Sequence, residues 1–201
     1  TENLKLFLYE NGDLYFNIFR DRLIARINHQ SRRLDGYKLA FFEKLPFTMY
    51  IPKTYKLFEN NPANRFVSFL WRSHSDPEDT PDKYISIYWE KNETNPVNQE
   101  WLLEKRKEIA WQFYDEDEFS ADYTARQDIE FNHYKAYQIS GKWQNQKHYV
   151  GGAFRSFAFY DEKLQTAYLI DLVIYFPRGF KLRYLLELEE HAKTFRAKEI
   201  G

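Results

Sequence analysis

YVGGAFRSFAFYDEKLQTAYLIDLVIYFP, residues 149–177, is the stretch that decides the fold. Residues 149–160 and 166–176 read as two strands, and Asp161, Glu162 and Lys163 between them supply the turn. Strands joined this closely pair antiparallel. Pro177, Arg178 and Gly179 then end the sheet. One residue breaks the pattern. Asp171 interrupts the face formed by Ala167, Leu169, Val173 and Tyr175, and a carboxylate on a core face calls for an arginine or a backbone donor.

Upstream, residues 129–143 read as one or two further strands, and 66–72 and 84–89 as two more. Phe47, Met49 and Ile51 alternate up to Pro52, which stops a first strand. Between 73 and 82, Pro77, Pro81 and four acids predict an exposed hairpin loop.

Helices flank these strands. Asn11, Gly12 and Asp13 divide a short apolar segment from a longer one, with Asp13 as N-cap and Phe16, Phe19, Leu23 and Ile27 on one face. A short helix is expected over 37–44. Asn95-Pro96 signals entry to a helix over 97–114, with Val97, Trp101, Leu102, Ile109 and Phe113 as its buried stripe. A last helix over 181–196 carries Leu185, Leu188, Ala192 and Phe195 on one face. The expected architecture is therefore α+β, an antiparallel sheet covered by helices. A helical segment over 1–45 would precede an α+β domain over 46–201.

Composition narrows the function classes. Net charge is −1, which gives no pull toward nucleic acid. The chain has no Cys, so thiolate catalysis, disulfides and thiolate metal sites are excluded. The five histidines, His29, His74, His133, His148 and His191, show no metal-ligand spacing; His133 and His148 with Asp128 or Glu130 are the one set that neighbouring strands might assemble. The run Asp115-Glu116-Asp117-Glu118 has Phe119 and Ser120 where a calcium loop needs an oxygen ligand and a glycine, so it reads as a solvated loop. Residues 115–130 carry a local charge of −6, and residues 20–38 a charge of +4, either a solvated helix face or a contact with anionic headgroups. Ser73, Ser140 and Ser156 lack a nucleophile elbow. Gly151-Gly152 lacks the context of a phosphate loop and predicts a bulge or a close backbone crossing. No motif calls for a cofactor.

The chain holds 39 Phe, Tyr and Trp residues. Trp101 belongs to a helix stripe, whereas Trp71, Trp89 and Trp143 sit in strands beside Arg72, Glu90 and Lys142. Such rings either fill a half-buried sheet or line a surface for a glycan or protein partner. With Arg72, Gly151 and Gly152 they form the candidate partner surface.

Several segments together resemble a known family: Tyr50-Ile51-Pro52-Lys53-Thr54-Tyr55, Phe69-Leu70-Trp71-Arg72, Ile87-Tyr88-Trp89, Gly141-Lys142-Trp143, Gly151-Gly152-Ala153-Phe154 and Ile174-Tyr175-Phe176-Pro177. Lys181, Tyr184, Leu185 and Leu188-Glu189 complete the pattern. It is similar to domain-of-unknown-function family forty-eight thirty-seven, lipoproteins of Bacteroidota and relatives. That resemblance implies a cell-envelope location outside the cytoplasm, with membrane association through a lipid anchor that this chain lacks. It transfers no catalytic residue. Where the family's middle helix carries Arg-Asp, this chain reads Arg106-Lys107. Ile51-Pro52 with Tyr55, and Thr194-Phe195 after the last helix, also resemble the PsbP-like α/β sandwich, whose members act mostly as binding or assembly modules. The leading expectation is a non-catalytic module that binds an unknown envelope protein or glycan. The alternatives are a hydrolase-like enzyme built from scattered acids and His133 or His148, and a structural lipoprotein domain lying near the membrane through residues 20–38.

Overall fold

Alternating apolar residues build one large sheet. The computed structural model describes residues 2–31, 34–72 and 80–200 and divides into two units, Thr1–Asp35 and Gly36–Gly201. The second unit contains strands β1 (Phe47–Thr48), β2 (Lys56–Asn61), β3 (Phe66–Trp71), β4 (Asp82–Lys91), β5 (Ala125–Phe131), β6 (Tyr134–Asn145), β7 (Val150–Asp161), β8 (Thr166–Tyr175) and β9 (Arg196–Ala197). Its helices are α2 (Gln99–Phe113) and α3 (Leu182–Ala192); α1 (Glu2–Ser31) is the first unit. Seven strands pair antiparallel throughout, in the order β2-β3-β4-β8-β7-β6-β5, and β1 pairs with β9 in a small second sheet.

The hairpin of β7 and β8 lies near the centre of the sheet, and every side chain of β8 from Thr166 to Ile174 is buried. The period of two divides them between layers. Tyr168, Ile170, Leu172 and Ile174 face a core closed by Leu185, Leu188 and Ala192 of α3 and by Phe47 and Phe195. Ala167, Leu169 and Val173 face the opposite layer, closed by Leu102, Leu103 and Ile109 of α2. Both faces are thus covered, as expected of this α+β class.

Several boundaries differ from the sequence expectation. The chain does not break at Asn11 to Asp13. Helix α1 runs through all three, and Asn11 Nδ2 donates to Phe7 O at 2.9 Å. One interior glycine costs about 1 kcal/mol, less than ending and renucleating a helix. Phe16 and Phe19 of its expected buried stripe are exposed. Among the described residues no helix is long and apolar enough to cross a membrane. The short second helix is a 3-10 turn at Leu39–Phe42. Helix α2 begins later than Pro96 suggests, because Asn98 Oδ1 caps it by accepting from Trp101 N at 2.8 Å. Phe47, Met49 and Ile51 are all buried as their alternation implies, yet only β1 forms a ladder there. Strand β2 lacked a readable apolar period and lies at the sheet edge, largely exposed. Of the predicted loop at 73–82, residues 73–79, with Ser73 and His74, lie outside the described residues, as do Arg32 and Arg33.

Candidate functional site

The sheet holds two successive rows of special residues on its α2 face. The first crosses the middle of the sheet, where Ser68, Ser86, Asp171 and Ser156 stand in register on β3, β4, β8 and β7. All four are buried. Ser68 and Ser86 hydroxyls lie 2.8 Å apart, and Ser156 Oγ donates to Asp171 Oδ1 at 2.6 Å. Arg106 closes the row from α2, its Nε 3.2 Å from Asp171 Oδ1 and 3.2 Å from Ser156 Oγ. Its guanidinium stacks on Phe154 at 3.6 Å, with Phe119 at 4.6 Å. Arg106 and Asp171 are 1% and 0% exposed, so this is a buried ion pair. The partner that Asp171 requires is thus the arginine in the apolar stripe of α2. Among the described residues, Arg106 Nη1 and Asp171 Oδ2 have no hydrogen-bond partner.

The second row lies four residues along β8, at the end of the sheet: Asp82, Tyr175, Gly152 and Trp143 on β4, β8, β7 and β6. Gly152 stands in it where a side chain would not fit. A methyl group there would stand 1.9 Å from Ile174 O and 2.7 Å from Trp143 Nε1. The indole of Trp143 instead lies across Gly152 and donates to Ile174 O at 3.3 Å. The ladder is in regular register through Gly151 and Gly152, so the glycine pair serves a close crossing and not a bulge.

A cavity of about 320 Å³ opens above this row. Phe58, Tyr84, Phe113, Tyr114, Trp143 and Tyr175 supply its rings, and Arg72, Asp82, Asp115, Asp117, Asn145 and His148 its polar groups. Local structure explains how they converge. After α2 the backbone turns left-handed at Asp115 (φ 53°) and Glu116 (φ 68°), bringing the acidic run back onto β6. There Glu118 and Gln144 exchange backbone hydrogen bonds of 2.8 and 2.9 Å. Asn145, 3% exposed, clamps the loop: its Nδ2 donates to Asp115 O at 2.8 Å and to Asp117 Oδ1 at 2.9 Å, and its Oδ1 accepts from His148 N at 3.0 Å.

The three acids of the cavity differ in partners. Asp82 Oδ2 accepts from Arg72 Nε at 2.8 Å and Nη2 at 2.5 Å. Asp115 is exposed; it accepts from Lys147 Nζ at 2.8 Å and from the His148 ring, and these bonds hold its carboxyl below the usual range. Asp117 is half-buried, and burial pushes its carboxyl up to about 6 despite the Asn145 amide and the positive charge of Arg106; Asp171 and Asp115 add to the rise. The acidic run is therefore not uniformly solvated. Tyr114 joins the two rows: its ring lines the cavity while burial and the nearby Asp171 push its hydroxyl well above the ordinary value.

The predicted surface residues divide between the two faces. Trp143 and Arg72 meet at this cavity, with Gly152 opposite Trp143 in the ladder and Gly151 beside it on β7. Trp71 and Trp89 belong to the α3 face. Trp71 carries Lys83 Nζ at 4.1 Å from its ring, and Trp89 is 6% exposed against Phe47. The three rings therefore do not form one row, because Trp71 and Trp89 stand on the opposite side of the sheet from Trp143. Nor do His133 and His148 meet. Asn132-His133 is the primed turn between β5 and β6, and His148 lies in the turn after β6, so the twelve residues of β6 separate them by roughly 40 Å. His29 is exposed on α1, and His191 is buried under α3, where desolvation and Lys83 push it down to about 4. Among the described residues no three His, Asp or Glu side chains are grouped to hold a metal ion.

Residues 37–194 match the family described as Domain of unknown function (DUF4837). The chain belongs to the DUF4837 family. No curated protein sequence matches this DUF4837 chain. Similar solved structures include LpqN of Mycobacterium tuberculosis, involved in cell envelope biogenesis, at 10% identity over 76% of this chain and 83% of that one, TM-score 0.44. The Ran-binding protein Mog1p of Saccharomyces cerevisiae matches at 9% identity over 76% and 90%, TM-score 0.45. Cyanobacterial PsbP (CyanoP) of Synechocystis sp. PCC 6803, a member of the fold class expected from sequence, matches at 6% identity over 76% and 86%, TM-score 0.45. The α+β sandwich of the DUF4837 domain rests on its own strand ladder and two-sided helix packing.

Proposed function

We propose that this DUF4837 domain is a non-catalytic binding module of the cell envelope and that the cavity beside Trp143 is its binding site. The observation that carries this reading is the aromatic-walled cavity beside Trp143. Of the four in-register positions three keep large or charged side chains, and at the fourth, Gly152, the Trp143 indole lies close over the backbone, tied to the neighbouring strand. A concave site with aromatic walls and a few convergent polar groups is the usual form of a small-ligand site. The envelope location follows the lipoprotein character of the family that the sequence resembles. A non-catalytic role is favoured because the cavity's titratable side chains are bonded to one another: Arg72 to Asp82, Lys147 and His148 to Asp115, and Asn145 to Asp117.

The test is a nitrogen–proton NMR screen of the whole chain against soluble envelope glycans, short peptides and small amines. Shifts should concentrate at the Trp143 indole, Val173 and Tyr175, and Val150→Phe, which fills the cavity, should abolish them. Shifts scattered over the sheet, or insensitive to Val150→Phe in a folded protein, would refute the assignment.

A further inference from the structure

The charges around the cavity do not balance locally. Arg72 is committed to Asp82, and Lys147 and His148 to Asp115. Asp117 has the Asn145 amide at 2.9 Å, and among the described residues no cationic side chain lies within ion-pair distance of it. A half-buried carboxylate with an amide as its side-chain donor, near an Arg106 already paired with Asp171, is short of positive charge, and a neutral hydroxyl placed against it would remove water without supplying any. The walls favour the same kind of guest. Tyr84, Phe113, Trp143 and Tyr175 line the same cavity as Asp117, and ring faces attract ammonium and guanidinium groups. At about 320 Å³ the cavity is at the small end for ligand sites, so it takes one side chain or a small molecule, not an extended polymer.

Resting on the cavity as binding site, we propose that it recognises an organic cation, an amine or guanidinium on an apolar stem, through Asp117 and the rings of Trp143 and Tyr175. The cation completes the charge that Asp117 lacks, and its stem packs against the apolar lining of Val150, Val173 and Tyr175. A free amine and a lysine side chain of a partner polypeptide offer this same chemistry.

NMR titration at pH 7 and low salt separates the outcomes. The probes are n-hexylamine, its neutral counterpart n-hexanol, and a lysine-centred tripeptide with or without Nε-acetylation. The amine and the unmodified tripeptide should shift the Trp143 indole and bind at least roughly tenfold tighter than the neutral members of each pair. Tighter binding of the tripeptide than of hexylamine identifies a polypeptide partner; equal binding identifies a small amine. Asp117→Asn should weaken the cations roughly ten- to a hundredfold and leave hexanol unchanged. Lowering the pH to 5 should weaken them roughly tenfold as Asp117, at about 6, protonates. Arg72, Asp82, Tyr84, Asp115 and His148 also face the cavity, with Asp82 paired to Arg72 and Asp115 bonded to His148. The Asp117→Asn protein should therefore retain only a small pH response. If hexanol and hexylamine bind the cavity equally, the cation inference fails and the binding site stands. If no probe shifts the cavity resonances, both fail. A folded Asp117→Asn protein with unchanged amine affinity also overturns the inference.

Discussion

Replacing Arg106 by Met should be among the most destabilising single changes in this protein. Arg106 is 1% exposed and, among the described residues, is the one charged partner of Asp171, which is 0% exposed. Removing it leaves a buried carboxylate with one hydroxyl donor, Ser156, and an Oδ2 that already has none. Breaking a buried pair from one side costs about 3–5 kcal/mol. Methionine refills much of the volume between Phe154 and Phe119, so little cavity cost adds to this. For a chain of this size that loss lowers the melting midpoint by about 6–20 °C. Asp171→Leu should cost a similar amount, offset in part by the ring on which Arg106 still stacks. The double change Arg106→Met with Asp171→Leu removes both charges and should recover most of the loss. Urea unfolding of all four proteins at pH 7 gives the coupling directly. If Arg106→Met falls within 1 kcal/mol of the parent, or the double variant equals the sum of the singles, the pair is not the buried, mutually dependent unit described here.

Gly152→Ala should destabilise by about 1–3 kcal/mol and free the Trp143 indole proton to exchange, because the new methyl group meets Ile174 O and displaces the indole; unchanged protection of that proton would contradict the close crossing. His191, 2% exposed and pushed down to about 4 from 6.5, binds fewer protons folded than unfolded between those values. Its contribution is therefore whole above pH 6.5 and is lost as the pH falls toward 4, by about 3 kcal/mol. Asp117, raised from 3.8 to about 6, has the opposite slope in an overlapping window, so the His191 term is best read in an Asp117→Asn background. There, His191→Gln should flatten the curve between pH 4 and 6.5; an unaltered slope would show that His191 is not buried neutral.

Much of the fold was legible because the central strands obey a period of two and the flanking helices carry apolar stripes. The β7–β8 hairpin, α2 and α3 were readable to within a few residues. Strand β2 was not, since an edge strand need not bury a face. Half of the candidate site was legible. Trp143, Arg72 and Gly152 drew attention as strand aromatics with a neighbouring charge and an unneeded glycine. Trp71 and Trp89 drew it for the same reason, and only the parity of the ladder separates their face from that of Trp143. Asn145 and Asp117 were missed because their importance comes from a left-handed turn after α2 that folds the acidic run back onto β6. Arg106 had a usable signal. It breaks the apolar stripe formed by Leu102, Leu103, Ile109 and Ala110, just as Asp171 breaks an apolar strand. Two opposite charges, each out of place in its own pattern, are natural partners for one another.

The most direct test of the binding-site account is a carbon-detected NMR titration of the Asp117 carboxyl, first alone and then with excess n-hexylamine. The account predicts a midpoint near 6 in the free protein, falling by about one unit or more when the cation is bound. A midpoint near the ordinary 3.8 that the amine does not move would contradict it.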